Sequence, residues 1–276
     1  MGGEGCEREV SLMSGAGVIK NLDKKKYEVW GIDVPSQLYM LDEIKPELAF
    51  IIMHGKGGED GLIQGYLETL GIKYTGCGVL ASAIGMNKKF FKRLMKNSDI
   101  LVPREVSKAP CVVKPVCGGS SVGVSIVEKG ESLEKAIELA KKYDDEVIIE
   151  DYIKGTEVTC GVWGDPPIAL PVVEIRPKAK FFDYESKYSD GGAEEICPAK
   201  LSKQITEKVQ EIAVNVFETI GGKGFARVDM IIRSKEVFVL DINTLPGLTP
   251  NSLLPKEAKA IGYSYGQMLD RMIELI

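Results

Sequence analysis

Two acidic residues near the end of the chain stand in a pattern that suits a metal ion. Arg227 and Asp229, and after a turn Asp241 and Asn243, lie in two apolar runs that predict paired β-strands. Residues two apart in a strand share a face. If Asp229 pairs with Asp241, the oxygens of Asp229, Asp241 and Asn243 form a set that suits Mg²⁺. A register shifted by one residue would instead place the aspartates on opposite faces as ordinary strand-end acids. The sequence pattern does not distinguish between these two registers.

A lysine followed by a glycine and serine loop is the second chemical signal. Lys114 ends one apolar run, residues 118–121 read Gly-Gly-Ser-Ser, and a further apolar run follows. Such a loop lets backbone N–H groups approach phosphates while the lysine neutralises their charge. It is not a Walker A motif, because the chain contains no G-x-x-x-x-G-K-[ST]. A glycine-rich turn with an exposed lysine is the equal alternative.

Two further positions suggest ligand contacts. His54, the single histidine, follows the apolar run 48–53, and ligands of open parallel sheets bind beyond the carboxyl ends of strands. It could equally be a structural histidine. Ser252 and Pro255 resemble the start of a helix, whose free N–H groups could hold a carboxylate. Residues 76–81 fit a loose dinucleotide-binding pattern, but no acidic residue follows at the usual distance, so a nicotinamide-dependent oxidoreductase is the weakest alternative.

The elements that must position these residues alternate between strand and helix. Strands predicted at 27–34 and 47–53 and a helix at 64–70 indicate a parallel sheet. A lysine-rich helix at 86–97 precedes a compact α+β unit, so a domain boundary is expected near residue 88. The remaining predicted elements are strands at 111–113, 122–127, 146–150, 157–162 and 170–175, a helix that Ser132 begins, a polar loop at 183–197, a helix at 202–220, the hairpin around residues 233–236, and a terminal helix.

The composition is that of an ordinary globular protein. The chain has 276 residues, 35 basic and 40 acidic side chains, and a net charge of -5. This mild, mixed charge argues against a general nucleic-acid or anionic-membrane binder. The longest clean apolar run, 48–53, is far too short to span a membrane, and no signal peptide is recognisable, so we expect a cytoplasmic protein. The six cysteines contain no C-x-x-C pair and are expected to be reduced.

A set of short segments recurs in a fixed order along the chain, at residues 2–3, 7–12, 54–61, 74–76, 118–124, 183–188, 227–229 and 243–247. Taken together, these segments resemble the D-alanine-D-alanine ligases of the ATP-grasp family. The resemblance implies an α/β protein with an ATP-grasp fold: an N-terminal parallel α/β (pre-ATP-grasp) domain at 1–87, a small central α+β domain at 88–150 and a C-terminal α+β domain at 151–276. ATP would lie between the central and the C-terminal domain.

The resemblance also implies a reaction. The carboxylate of a first D-alanine would attack the γ-phosphate of ATP, and the amine of a second would attack the acyl phosphate, giving D-alanyl-D-alanine for peptidoglycan. Glu7 would hold the first ammonium group, with Ser120 and Tyr188 hydrogen-bonded to it. Arg227 and the Gly247 amide would stabilise the oxyanion. Relatives that make D-alanyl-D-lactate tend to lack the tyrosine, so Tyr188 favours an amine as second nucleophile.

Further binding residues follow from the same resemblance. His54 would contact substrate, and Ser252 with Leu253 would bind the second carboxylate. Two Mg²⁺ (or Mn²⁺) ions would be held by Asp229, Asp241 and Asn243, and a homodimer is expected. ATP would be held by Lys88, Lys114 and Lys187 at its phosphates and by Glu150, Asp151, Ile153 and Glu157 at adenine and ribose.

Four features of the sequence depart from the family pattern. Met1 abuts Gly2 where the family has a short apolar strand, so we expect either a misassigned start or a first sheet lacking a strand. The segment between Pro103 and Lys114 is shorter than the family's, Asp241 replaces Glu, and Asn87 replaces Asp. A catalytically impaired ATP-binding homologue, or a ligase with another second substrate such as D-lactate, therefore remains an alternative.

Overall fold

The computed structural model describes residues 1–5, 7–177 and 193–276. Its helices are α1 (Arg8–Asn21), α2 (Met40–Ile44), α3 (Leu62–Thr69), α4 (Val79–Met86), α5 (Lys88–Asn97), α6 (Leu133–Ala140), α7 (Lys203–Thr219), α8 (Leu253–Ala260) and α9 (Tyr265–Glu274). Its strands are β1 (Leu48–Ala49), β2 (Lys73–Tyr74), β3 (Cys111–Pro115), β4 (Ser125–Val127), β5 (Val147–Asp151), β6 (Thr156–Trp163), β7 (Ile168–Ala169), β8 (Val173–Pro177), β9 (Ala193–Ile196), β10 (Phe225–Arg233) and β11 (Glu236–Asn243).

The N-terminal region contains less sheet than its apolar runs predict. Strands β1 and β2 pair in parallel, and within residues 27–34 only Val34 forms a bridge, with Gly2. Backbone groups that would pair with a neighbouring strand in a longer sheet form hydrogen bonds with side chains instead. Ser11 Oγ donates to the Ile52 carbonyl, and Thr75 Oγ1 accepts from the Ile51 amide at 3.0 Å. The predicted strands at 27–34 and 47–53 are therefore wrong in extent, although the parallel direction is confirmed.

The central region is a small antiparallel sheet with one helix packed on it. Its strand order is β4-β3-β5, and α6 covers one face with small residues such as Ala136 and Ala140 against Val113. The Ser132 side chain caps α6 by accepting a hydrogen bond from the Lys135 amide at 3.4 Å. The predicted α+β unit and its helix start are confirmed.

The C-terminal region is built on a larger antiparallel sheet. Among the described residues its strand order is β11-β10-β6-β8-β9, with β7 paired to β6. The apolar face of α7 packs through Val209, Ala213 and Val216 on buried residues of β6 and β10. Along β10, Val228 and Met230 are buried in this core, so Arg227 and Asp229 face the other way.

Helices α8 and α9 join the two ends of the chain. A buried cluster combines Val18 and Leu22 near the end of α1 with Leu254 of α8 and Met268 and Leu269 of α9. The predicted terminal helix is present, but this part of the chain forms two helices, because residues 261–264 separate α8 from α9 and Ser264 caps α9. The domain limits at 87/88 and 150/151 stay predictions.

The polar loop predicted at 183–197 is only partly accessible to comparison. Residues 193–196 form β9, so the loop assignment is wrong there, whereas Cys197 lies in a bend after β9. Residues 183–192 of the predicted loop lie outside the described residues. None of the helices described for this chain combines the length and the apolar composition needed to cross a membrane.

Candidate active site

A cleft of about 1300 Å³ is lined by the N-terminal loops, the central sheet, the large sheet and the start of α8. Lys187 and Tyr188 lie outside the described residues. The other predicted site residues all line this one cleft: Glu7, His54, Lys88, Lys114, Ser120, Glu150, Asp151, Ile153, Glu157, Arg227, Asp229, Asp241, Asn243, Gly247, Ser252 and Leu253.

The β10–β11 hairpin adopts the register that brings the aspartates together. Asp229 lies opposite Asp241, and Arg227 lies opposite Asn243. A bulge after Asp229 shifts the pairing for the rest of the hairpin. Directly opposed carboxylates repel each other unless a cation lies between or beside them. The open question about the register is therefore settled in favour of the arrangement that can hold a metal.

The oxygen donors at this hairpin fit Mg²⁺. Asp229 and Asp241 supply hard carboxylate oxygens, and Asn243 supplies an amide oxygen that accepts a hydrogen bond from the Leu245 amide at 3.1 Å. In residues 1–5, 7–177 and 193–276 no group of three His, Cys, Asp or Glu side chains is placed to hold a metal. An ion here would thus take its other ligands from phosphate and water, which is what Mg²⁺ prefers.

Positive side chains and a threonine surround the same aspartates. The Arg227 guanidinium donates through Nε and Nη2 to the two Asp229 oxygens, both at 3.0 Å. Thr159 Oγ1 donates to Asp229 at 2.6 Å, and Lys88 Nζ lies 3.6 Å from the Asp241 carboxylate. Thr159 is a site residue that sequence reasoning missed, because its β6 position opposite Asp229 depends on strand pairing across 70 residues.

Glu7 and Ser120 meet across the cleft from segments far apart in the chain. Ser120 Oγ donates a hydrogen bond to Glu7 Oε1, which is the contact that the resemblance implies. Glu7 directly precedes α1, where Arg8 forms an ion pair with Asp33 at 2.6 Å. Ser120 has a φ of 50°, a left-handed conformation that a non-glycine residue seldom adopts and that often marks functional loops.

A buried histidine and a buried acid lie beside Glu7. Nε2 of His54 is buried and has no hydrogen-bond partner in the described parts of the chain. Burial lowers the pKa of His54, while the charge of Glu7 acts in the opposite direction. Burial, followed by the charge of Glu7, raises the pKa of Glu59 to about 8. Sequence reasoning missed Glu59, although it lies within the matching segment 54–61.

Two lysines share one buried carboxylate below the glycine and serine loop. Glu150 accepts from Lys92 with one oxygen and lies 2.8 Å from Lys114 Nζ with the other. Burial and the neighbouring Lys114 lower the pKa of Lys92 to about 7. Although burial opposes the change, Glu150 raises the pKa of Lys114. Both Glu150 oxygens are thus engaged, which was not expected for a residue predicted to contact the nucleotide.

Lys88 and the other residues predicted to bind ATP line the same wall of the cleft. Lys88 Nζ donates to the Gly118 carbonyl at 2.5 Å, so it fastens the loop to α5. Asn87, which replaces an aspartate of the family pattern, caps α5 by accepting from the Phe90 amide at 3.1 Å. Asp151, Ile153 and Glu157 continue along β5 and the start of β6, at the cleft.

The start of α8 closes the other end of the cleft. Ser252 is the N-cap of α8, and its Oγ accepts a hydrogen bond from the Thr249 amide at 3.0 Å. Gly247 lies so near that a Cβ added there would be 3.1 Å from Ser252 Oγ. Gly247 and Leu253 both face the cleft, so the backbone amides of this segment are within the site.

Known proteins match this chain along nearly its whole length. Family models described as "D-ala D-ala ligase N-terminus" and "D-ala D-ala ligase C-terminus" match residues 36–77 and 80–274. A D-alanine--D-alanine ligase of Syntrophobacter fumaroxidans is 44% identical over 295 residues, covering 99% of this chain and 95% of the relative. One from Clostridium perfringens is 41% identical over 290 residues, covering 99% and 95%.

Solved structures give the same result. A D-alanine--D-alanine ligase of Bacillus anthracis complexed with ATP superposes with a TM-score of 0.87 at 36% identity, covering 100% of this chain and 94% of that one. A D-Ala:D-Ser ligase of Enterococcus faecalis superposes with a TM-score of 0.85 at 33% identity, covering 100% and 97%. The chain therefore belongs to the D-alanine-D-alanine ligase family and has its ATP-grasp fold.

Proposed function

We propose that this chain joins two molecules of D-alanine into D-alanyl-D-alanine at the expense of ATP, releasing ADP and phosphate, for peptidoglycan synthesis. The observation that carries the proposal is the single cleft in which acidic, basic and helix-start residues from distant parts of the chain meet. Family membership at 40% identity or more supports the same activity.

The first step needs a bound ATP and a first D-alanine whose carboxylate attacks the γ-phosphate. Lys88 and Lys114, with Lys187, neutralise phosphate charge, while the region of Glu150, Asp151, Ile153 and Glu157 holds adenine and ribose. Glu7 takes the ammonium group of the first D-alanine, and Ser120 donates a hydrogen bond to Glu7. By resemblance to the family, Tyr188 would join this contact. His54 offers to the same substrate its Nε2, which has no hydrogen-bond partner among residues 1–5, 7–177 and 193–276.

The metal contribution is electrostatic. Asp229, Asp241 and Asn243 would hold Mg²⁺ or Mn²⁺, which offsets the negative charge of phosphoryl transfer when bound. Arg227 orients the Asp229 carboxylate through its paired hydrogen bonds.

In the second step the amine of another D-alanine attacks the acyl phosphate. Ser252 and the Leu253 amide at the start of α8 hold the carboxylate of this second substrate. Arg227 and the Gly247 amide stabilise the tetrahedral oxyanion. Closure of the cleft excludes water, which would otherwise hydrolyse the acyl phosphate.

Phosphate release from ATP with purified protein tests the function. We expect release that depends on D-alanine and on Mg²⁺, no release with L-alanine, and D-alanyl-D-alanine as the product identified by mass. Adding D-lactate or D-serine with D-alanine shows whether another second substrate is used. A folded protein that binds ATP without D-alanine-dependent release would instead be the impaired homologue. A homodimer, measured by light scattering, and a cytoplasmic location are further expectations.

A further inference from the structure

Lys256 lies one helical turn after Ser252 on the cleft face of α8. Residues four apart in a helix stack on one side. The Lys256 amide donates to the Ser252 carbonyl at 3.3 Å, and both residues line the cleft. The ammonium group of Lys256 is therefore on the same face as the position at which the second carboxylate is proposed to bind.

The ammonium group of Lys256 is paired with an acid from another element. Nζ of Lys256 donates to Oε2 of Glu195 on β9, and Glu195 also lines the cleft. The side chains are 36% and 19% exposed, so the pair lies at the cleft surface, where a solute can reach it. Glu195 is fixed in the sheet opposite Ile175 of β8.

We propose that Lys256 is a specificity-determining residue of the second-substrate subsite and contacts the carboxylate of the incoming D-amino acid, while Glu195 limits the strength of this contact. The proposal rests on the proposed function and extends it to residues that the resemblance does not assign. A carboxylate at the start of α8 meets the helix N-terminus and, one turn away, this lysine. Because the negative charge of Glu195 balances the positive charge of Lys256, the subsite has no excess positive charge when it binds a small amino acid.

Two substitutions that break the same ion pair separate this role from a structural one. Lys256→Met removes the cation and is expected to raise the KM for the second D-alanine about fivefold. Glu195→Gln frees the cation and is expected to lower that KM roughly twofold. The dependence of rate on D-alanine concentration contains separate KM values for the two sites. The KM for the first D-alanine and for ATP is expected to stay unchanged.

Matched controls lie next to each position. Lys259→Met makes the same change on the exposed side of α8, and Glu194→Gln makes the same change one residue earlier in β9, at a position that does not line the cleft. Both controls are expected to leave the KM values unchanged. Thermal unfolding of all four variants shows whether each one is folded at the assay temperature.

The outcomes are distinguishable. If the pair only clamps β9 to α8, both substitutions break the clamp and the second KM moves in the same direction in both, which overturns the proposal. An unchanged second KM in Lys256→Met also overturns it. If the wild-type protein forms no dipeptide, the proposed function fails, and binding of D-alanine to the ATP-loaded variants then tests the Lys256 contact by itself.

Discussion

At the scale of single residues, Asp229 combines several contacts in the cleft. It accepts from Arg227 and Thr159 and lies opposite Asp241. Asp229→Asn removes the charge that these groups share, so we expect kcat to fall by at least about 100-fold. The fold should survive, because the asparagine keeps an amide oxygen that can accept from Arg227 and no longer places a second carboxylate opposite Asp241.

Circular dichroism and thermal unfolding, measured together with the kinetics, separate a loss of kcat from a loss of folded protein. Asp145→Asn makes the same change at an exposed position outside the cleft and should leave kcat unaltered. Near-wild-type turnover in Asp229→Asn would sink the metal assignment.

Asp241 is one methylene shorter than the glutamate of the family pattern. Its carboxylate lies 3.6 Å from Lys88 Nζ, at the edge of an ion-pair distance. We expect Asp241→Glu to lower the Mg²⁺ concentration needed for half-maximal rate by roughly two- to fivefold, because the longer side chain reaches a bridging position more easily. The check is a Mg²⁺ titration at saturating ATP and D-alanine. A higher Mg²⁺ requirement in the variant would contradict it.

Sequence reasoning located individual residues better than it located their partners. Asp229 and Asp241 could be predicted as a candidate pair from their spacing, but not their register, since the bulge after Asp229 has no periodic signature. Lys92 and Glu150 could not be paired, because the contact joins residues 58 positions apart on a helix and a strand. The hydrogen bond of Ser120 to Glu7 was expected only through the family resemblance.

At the scale of elements, Glu257 connects α8 to the large sheet. Its Oε1 accepts from the Gly161 amide of β6 at 2.8 Å, while its buried Oε2 has no partner among the described residues. Burial raises the pKa of Glu257 from 4.5 to about 8. Gly161 lies opposite Arg227, so Glu257 helps to set the distance between α8 and the strands that position Arg227.

The raised pKa predicts how stability depends on pH. Between pH 4.5 and 8 the unfolded chain has lost the Glu257 proton while the folded chain keeps it, so this group makes stability fall as pH rises through that window. Glu257→Gln has no such proton. On going from pH 6 to pH 9, the unfolding free energy of the variant should therefore rise by roughly 3 kcal/mol relative to that of the wild type.

Urea unfolding at both pH values measures this difference. Other buried acids such as Glu59 are present in both proteins, so their contributions cancel. Parallel pH profiles for the two proteins would show that Glu257 does not titrate in this way.

Elements with regular burial patterns were predicted correctly, and those shaped by side-chain hydrogen bonds were not. The alternation along β10 and the serine cap of α6 are local signals, and each was predicted correctly. The apolar segment at 47–53 was predicted as one long strand, yet its Ile51 amide donates to the Thr75 side chain and not to a neighbouring strand. Strand β9 was missed because Ala193–Ile196 carries adjacent acids, and one of these, Glu195, is held by Lys256 of α8.

At the scale of the whole molecule, a buried cluster ties the N-terminal and C-terminal regions together. Val18 of α1 and Leu22, which directly follows α1, pack in the same cluster as Trp163 of β6 and Leu269 of α9. We therefore expect both regions to unfold in one cooperative transition. Trp30 in the N-terminal region is 45% exposed and Trp163 is buried, so the two tryptophans report on different parts of the chain.

The single-tryptophan variants Trp30→Phe and Trp163→Phe make this testable. In each variant the midpoint of the remaining tryptophan's fluorescence change is compared with the midpoint from far-ultraviolet circular dichroism. We expect the two midpoints to coincide within each variant. A fluorescence midpoint for Trp30 well below that of the circular dichroism would mean that the N-terminal region unfolds separately.

The order in which the cleft is assembled has a consequence during protein synthesis. Glu7 leaves the ribosome long before Ser252 and Lys256, yet all three face one cavity. A nascent chain that has released the glycine and serine loop and the large sheet still lacks the wall formed by α8. If the second substrate binds at the start of α8 as we propose, translation that stops before α8 emerges yields a fragment that cannot complete a peptide bond.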